Sequence, residues 1–315
     1  MERYLPEGCL WNTPENISAM KSAAALQESW REGRILEGRA ALCDSSHNLI
    51  VDLGCMKGII PKQEGAIGIQ DGSTKDIALI SRVNKAVCFR ILRFLKEADG
   101  SQVAILSRRQ VQEECMEQYI KRLRPGDIIS ARVTHLEPFG AFVDIGCGIP
   151  SLIPIDAISV SRISHPRDRF TPGQQIRAVV RQIEPDGRVS LTHKELLGSW
   201  EENAALFSAG ETVAGIIRSS ESYGIFIELT PNLAGLAEPR NDVFPGQHAS
   251  VFIKSLIPEK MKVKLILVDA FDATYPTQPF RYFITEDHLS YWRYSPESCA
   301  KLVESRFDEA GSPSF

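Results

Sequence analysis

Nowhere in the 315 residues does an apolar run approach the roughly 20 residues that a bilayer-spanning helix needs, so no membrane anchor of that kind is expected. The opening stretch MERYLPEGCLWN lacks a basic segment followed by an apolar one, which argues against a secretory leader. Cysteine is sparse and unpatterned: Cys9, Cys43, Cys55, Cys88, Cys115, Cys147 and Cys299 are odd in number, scattered, and form no C-x-x-C. That argues against a zinc site or a disulfide framework and for a reducing, cytoplasmic setting. Also missing are the phosphate-loop signature G-x-x-x-x-G-K-[ST], the G-x-S-x-G elbow and the H-E-x-x-H zinc motif. The six histidines show no metal-ligand spacing. The chain is therefore expected to be no enzyme, with no catalytic residue, no metal and no cofactor. An excess of positive charge is absent as well, and a net charge of −4 weighs against strong nonspecific duplex binding. The charge is unevenly spread, however. Residues 124–194 carry nine Lys and Arg against seven Asp and Glu, while residues 271–315 carry four against seven. The whole-chain value thus conceals a mildly basic middle and an acidic end.

What the chain does have is repetition. RPGDIISARVTHLEPFGAFVDIG (124–146) aligns without a gap against SAGETVAGIIRSSESYGIFIELT (208–230). Gly126 falls on Gly210, Phe139 on Tyr223, Gly140 on Gly224 and Phe142 on Phe226. FTPGQQIRAVVRQI (170–183) matches VFPGQHASVFIKSL (243–256), and the extra length of the middle copy falls in SVSRISHPRDRF. A weaker copy, REGRILEGRAALCDSSHNLIVDLG (31–54), has His47 and Ile50 in place of the ring pair. Recurrence of this kind points to a tandem array.

Each copy reads as short alternating strands, in the middle one Ile128–Val133, Ala141–Ile145, Ile176–Ile183 and Val189–Thr192, with a hairpin at EPDGR (184–188). Several short strands in so few residues suggest a small closed barrel. Between copies the period turns helical, with one stripe of Val111, Cys115, Tyr119 and Leu123 and another of Leu196, Trp200, Ala204 and Phe207. Thr13-Pro14 predicts the start of a helix running to about Trp30.

These residues resemble the RNA-binding repeat of bacterial ribosomal protein S-one, most closely in PGDIISARVTHLEPFGAFVDIG and FTPGQQIRAVVRQIEPDGRVSLTHKE. The resemblance implies a mainly β chain of three tandem five-stranded OB-fold barrels joined by helices. The expected order is an N-terminal helical segment (1–30), a degenerate first repeat (31–106), a linker helix (107–123), the second repeat (124–194), a linker helix (195–207), the third repeat (208–270) and a C-terminal α/β extension (271–315). It implies single-stranded RNA as partner, on the aromatics Phe139 and Phe142, the arginine Arg188 and the acidic Glu184. The family's histidine is replaced by Pro154, for which His165 in the long insertion is the candidate substitute, and Arg167 beside it is a further candidate RNA contact. In the third repeat the matching positions are Tyr223, Phe226 and Lys262, with Glu238 at the histidine position; in the first, Gln102 replaces the arginine.

The physical logic is that exposed rings stack bases while cations follow the phosphates. On a plain strand Phe139 and Phe142, three apart, face opposite sides, so both rings would not be available together. Gly140 is read as a bulge that resets the alternation, sending Ala141, Val143 and Ile145 inward and Phe142 and Asp144 outward. The loop SRISHPRDR (161–169), with Arg162, His165, Arg167 and Arg169, is either a guide for the strand or a solvated insertion. In the tail, Tyr291, Trp292 and Tyr294 are expected to pack on the third barrel, and FDEAGSPSF (307–315) to be disordered. The alternative to RNA binding is a scaffold that docks the ribosome or another protein, or an accessory subunit of an RNA-processing complex.

Overall fold

A computed structural model describes residues 3–98, 100–275 and 279–307. Fifteen strands close into three barrels. The first contains β1 (Leu36–Cys43), β2 (Leu49–Asp52), β3 (Lys57–Ile60), β4 (Ala86–Lys96) and β5 (Gln102–Ser107). The second contains β6 (Ile128–Glu137), β7 (Gly140–Asp144), β8 (Pro150–Pro154), β9 (Gln175–Ile183) and β10 (Val189–Thr192). The third contains β11 (Thr212–Glu221), β12 (Gly224–Thr230), β13 (Leu233–Ala237), β14 (His248–Ile257) and β15 (Lys262–Phe271). In all three the fifth strand runs parallel to the third and closes the barrel through the fourth, the order of an OB-fold.

Alternation builds each interior. In the second barrel Ala131, Val133, Ala141, Val143, Ile145, Ile153, Ala178, Val180 and Leu191 are all buried. In the third, Ile217, Ile225, Ile227, Val251, Ile253, Val263 and Leu265 do the same, and Trp200, Trp292 and Tyr294 close onto that core. The tail rings thus pack as expected except for Tyr291, which is exposed. The tail was expected to be α/β, but its described residues form only a strand pair, β16 (Tyr291–Arg293) with β17 (Glu304–Arg306). Phe307 is buried, and the remainder of FDEAGSPSF lies outside the described residues.

The helices are short: α1 (Pro14–Met20), α2 (Ala23–Arg31), α3 (Ile77–Ile80), α4 (Arg109–Gln118) and α5 (Trp200–Ala204). The single N-terminal helix expected up to Trp30 is two. Thr13 caps the first, and the Ser22 hydroxyl accepts from the Ala25 N–H at 3.2 Å to start a second. Among the described residues no helix is long and apolar enough to cross a membrane.

The described residues form two compact units, one drawn from 1–123, 130–132 and 144–150, the other from 124–129, 133–143 and 151–315. The first unit buries Glu7, Glu37, Arg108 and Asp144. Glu7 receives Arg108 Nε at 2.6 Å and Nη2 at 3.0 Å, with Arg82 at 3.3 Å. Asp144, expected to point outward, is buried and accepts from the N–H groups of Glu7 (2.7 Å), Gly146 (2.8 Å) and Gly148 (3.0 Å). Glu37 holds the loop below by accepting from Gly8 (3.0 Å), Leu10 (3.0 Å) and Trp11 (2.9 Å).

Of these three buried carboxylates only Glu7 is paired with the buried guanidinium, so it alone keeps its charge easily. Burial opposes ionisation of Glu7, but Arg108 outweighs it and holds Glu7 below its ordinary value. Burial, and then the charge on Glu7, push Glu37 up to about 7 and Asp144 up to about 7. A raised carboxylate stabilises the fold fully below its unfolded value, and that contribution is lost as pH climbs through the folded one. The melting temperature of the first unit is therefore expected to fall between about pH 5 and pH 8. Glu37→Gln should flatten that slope in thermal scans at a series of pH values; an unchanged slope refutes the assignment.

Candidate nucleic-acid interface

The ring pair owes its geometry to a turn. β6 ends at Glu137 and β7 begins at Gly140, so Pro138 and Phe139 form the two-residue hairpin turn and Phe139 stands outside the strand alternation. Phe142 lies on β7, half-buried, between the interior residues Ala141 and Val143. Phe139 is 55% exposed, and the two rings meet edge to face with centroids 5.9 Å apart and planes at 88°. The third repeat has the same construction. Glu221 pairs with Gly224 across a turn of Ser222 and Tyr223, Tyr223 is 66% exposed, and its ring lies 6.0 Å and 86° from that of Phe226.

The bulge expected at the glycine is not found at Gly224, which pairs in register with Glu221. In the third repeat the register shift lies on the partner strand, between Ile217 and Ser219. Glycine is there for clearance: a Cβ at Gly140 would sit 2.5 Å from the Ile153 carbonyl oxygen, and one at Gly224 would sit 2.7 Å from that of Ala237. The third strand can therefore lie close beside the rings only where no side chain intervenes.

His135, on the extension of β6 past Val133, lies almost parallel to the Phe142 ring at 6.4 Å and 29°, with its Nε2 2.6 Å from Glu137. It was missed because the strand read from the sequence stopped at Val133; its exposed position beside the ring pair becomes visible only when the strand is carried on to the turn. Arg188 and Glu184 lie on the β9–β10 hairpin, where the Glu184 N–H donates to the Arg188 carbonyl at 2.8 Å. The Arg188 side chain is 82% exposed, and its Nε donates to Asp186 at 2.7 Å. Ser190, two residues on, pairs with Leu152 of β8.

The long insertion is folded rather than loose. The His165 ring accepts from the Arg167 N–H at 3.1 Å and caps a short turn over 166–168. Arg169 is buried in an ion pair with Glu228, so only Arg162 and Arg167 of its cations stay exposed. In the third repeat Lys262 opens β15 and is exposed. The hollow beside Tyr223 is instead lined by Lys254, Lys264, Arg240 and Glu238, with Leu236 and Ile266 between them. Lys264 pairs with Leu236, which pairs with Phe226, so this lysine sits two strands from the ring. The outward positions of KVKLI carry that signal in the sequence.

Rings beside cations on a barrel face can stack bases and neutralise phosphates. Residues 122–194, the second repeat, match the S1 RNA binding domain family. The small ribosomal subunit protein bS1 homolog of Bacillus cereus is 26% identical over 294 residues, covering 88% of this chain and 74% of that protein. The small ribosomal subunit protein bS1 of Staphylococcus aureus is 28% identical over 280 residues, covering 83% and 67%. A solved multidomain protein with nucleic acid binding domains from Streptococcus pneumoniae aligns over 75% of this chain and 74% of its own, at 13% identity and a TM-score of 0.26, too distant to bear on the fold or the site.

Proposed function

Because the chain is an S1-like family member, we propose that it binds single-stranded RNA without catalysis, through base stacking on the second repeat, in association with translation. The observation that carries this reading is the edge-to-face pair of exposed Phe139 and half-buried Phe142 beside exposed His135. Phe139 and Phe142 supply the stacking faces, Arg188 the contact to phosphate, and Glu184 an acceptor for a base edge or a ribose hydroxyl. Tyr223 and Phe226, with Lys264 and Lys254, form a second face of the same kind. The first repeat, with His47 and Ile50 at the ring positions, has no stacking role.

Titration of a labelled unstructured RNA at two salt concentrations tests this. Counterion release requires affinity to fall as salt rises, with a slope of about −0.7 per phosphate contacted. Arg188→Ala is expected to reduce that slope by about 0.7 while leaving the melting temperature unchanged, since the side chain lies in solvent. Absence of binding near physiological salt would favour the scaffold reading, in which the barrels dock a protein partner.

A further inference from the structure

A cleft of about 500 Å³ in the second unit is lined by residues 167–171, parts of β11 and β12, and Pro279, Phe280, Arg281 and Phe283; neither ring pair takes part in it. The charges at its floor are already matched. Buried Glu228 accepts from Arg218 Nε at 2.8 Å and Nη2 at 3.1 Å and also pairs with Arg169. Two further guanidiniums are not matched. Among the described residues neither Arg167 nor Arg281 forms an ion pair; Arg167 lies 3.5 Å from the His165 ring nitrogen, and Arg281 sits over the Phe283 ring at 5.1 Å. Both are exposed. The lining also holds Asp168, paired with Arg218 at 3.7 Å, but its larger part is apolar, with Leu206, Phe280 and Phe283, and Phe280 is held edge-on by Phe170 and His193.

We infer that this cleft takes one nucleotide unit, its base against the rings and its phosphate at Arg167 and Arg281. Unpaired guanidiniums call for an oxyanion, and their planar forks suit phosphate. The apolar lining calls for a flat, poorly solvated group on the same ligand, and the volume falls within the roughly 300–1,000 Å³ of small-molecule sites. An acidic peptide side chain leaves the ring wall uncovered. The inference rests on the proposed function only for the source of the nucleotide, which is either one residue of a bound strand or a free nucleoside monophosphate.

Calorimetric titration of the full chain with AMP, adenosine and a single-stranded RNA decamer tests it. AMP should saturate, with adenosine about tenfold weaker for want of the charged hydrogen bonds. Replacing Arg167 and Arg281 by alanine together should weaken AMP by about tenfold at unchanged melting temperature. Phe139→Ala with Phe142→Ala should leave AMP binding untouched, so failure of the ring face and failure of the cleft are read separately. A decamer weakened by the arginine replacements identifies the strand as the source, and a decamer unaffected by them identifies the free nucleotide. Heat that does not saturate with AMP, adenosine binding as well as AMP, or wild-type AMP affinity in the arginine variant overturns the inference.

Discussion

Replacing Phe139 and Phe142 together by alanine is expected to weaken binding of a short unstructured RNA by about 30-fold or more, because each base stack contributes about 1–3 kcal/mol. Fluorescence anisotropy measures the affinity, and circular dichroism melting checks the fold. The fold should survive. Phe139 stands in a turn, more than half exposed, and Phe142 fills no place in the barrel interior, which Ala141, Val143 and Ile145 occupy. The loss should be nearly independent of base identity, since every base offers a π-face. Single replacements divide the effect: Phe139→Ala removes the more exposed ring, whereas Phe142→Ala also frees His135 from its stacked neighbour. Unchanged affinity in the double variant, with an intact fold, would rule out the stacking mechanism.

The largest expected effect on stability comes from Arg108→Ala. Glu7 and Arg108 are both almost fully buried, and the guanidinium donates to both carboxylate oxygens. Removing it leaves a buried carboxylate whose remaining cation, Arg82, is 3.3 Å away and partly exposed. Breaking a buried pair from one side typically costs about 3–5 kcal/mol. Urea titration followed by hydrogen exchange should show the first unit opening at lower denaturant, with the third barrel unaffected. Glu7→Gln combined with Arg108→Met should cost less than Arg108→Ala alone, because no charge is then left unpaired. Equal or greater loss in the double variant would show that packing, rather than the stranded charge, sets the penalty.

Much of this architecture is legible in the sequence. The gapless alignment of 124–146 with 208–230 marks two barrels, and Gly126, Gly140 and Phe142 fall in corresponding places in both. The strand alternation gives the interior of the second barrel almost residue by residue. What was misread concerns groups whose surroundings come from far along the chain. Asp144 looks outward by alternation, yet N–H groups from Glu7, Gly146 and Gly148 bury it. Arg169 looks like one more cation in a basic loop, yet Glu228, in the third repeat, draws it inside. Local period cannot report a partner supplied by another element. The ring-pair spacing suggests a bulge at Gly140 only while the two-residue turn before β7 goes unseen. Once the turn is located at Pro138 and Phe139, no bulge is needed.

The right angle between the rings also sets terms for whatever rests on them. Two neighbouring bases in a helical stack lie parallel, so a strand lying on both rings has to break that stack and swing its backbone through about a quarter-turn between one base and the next. Tyr223 and Phe226, at 86°, would ask the same step of a strand lying on them. A strand already folded on itself must first give up its own stacking to lie there, whereas a limp one gives up little.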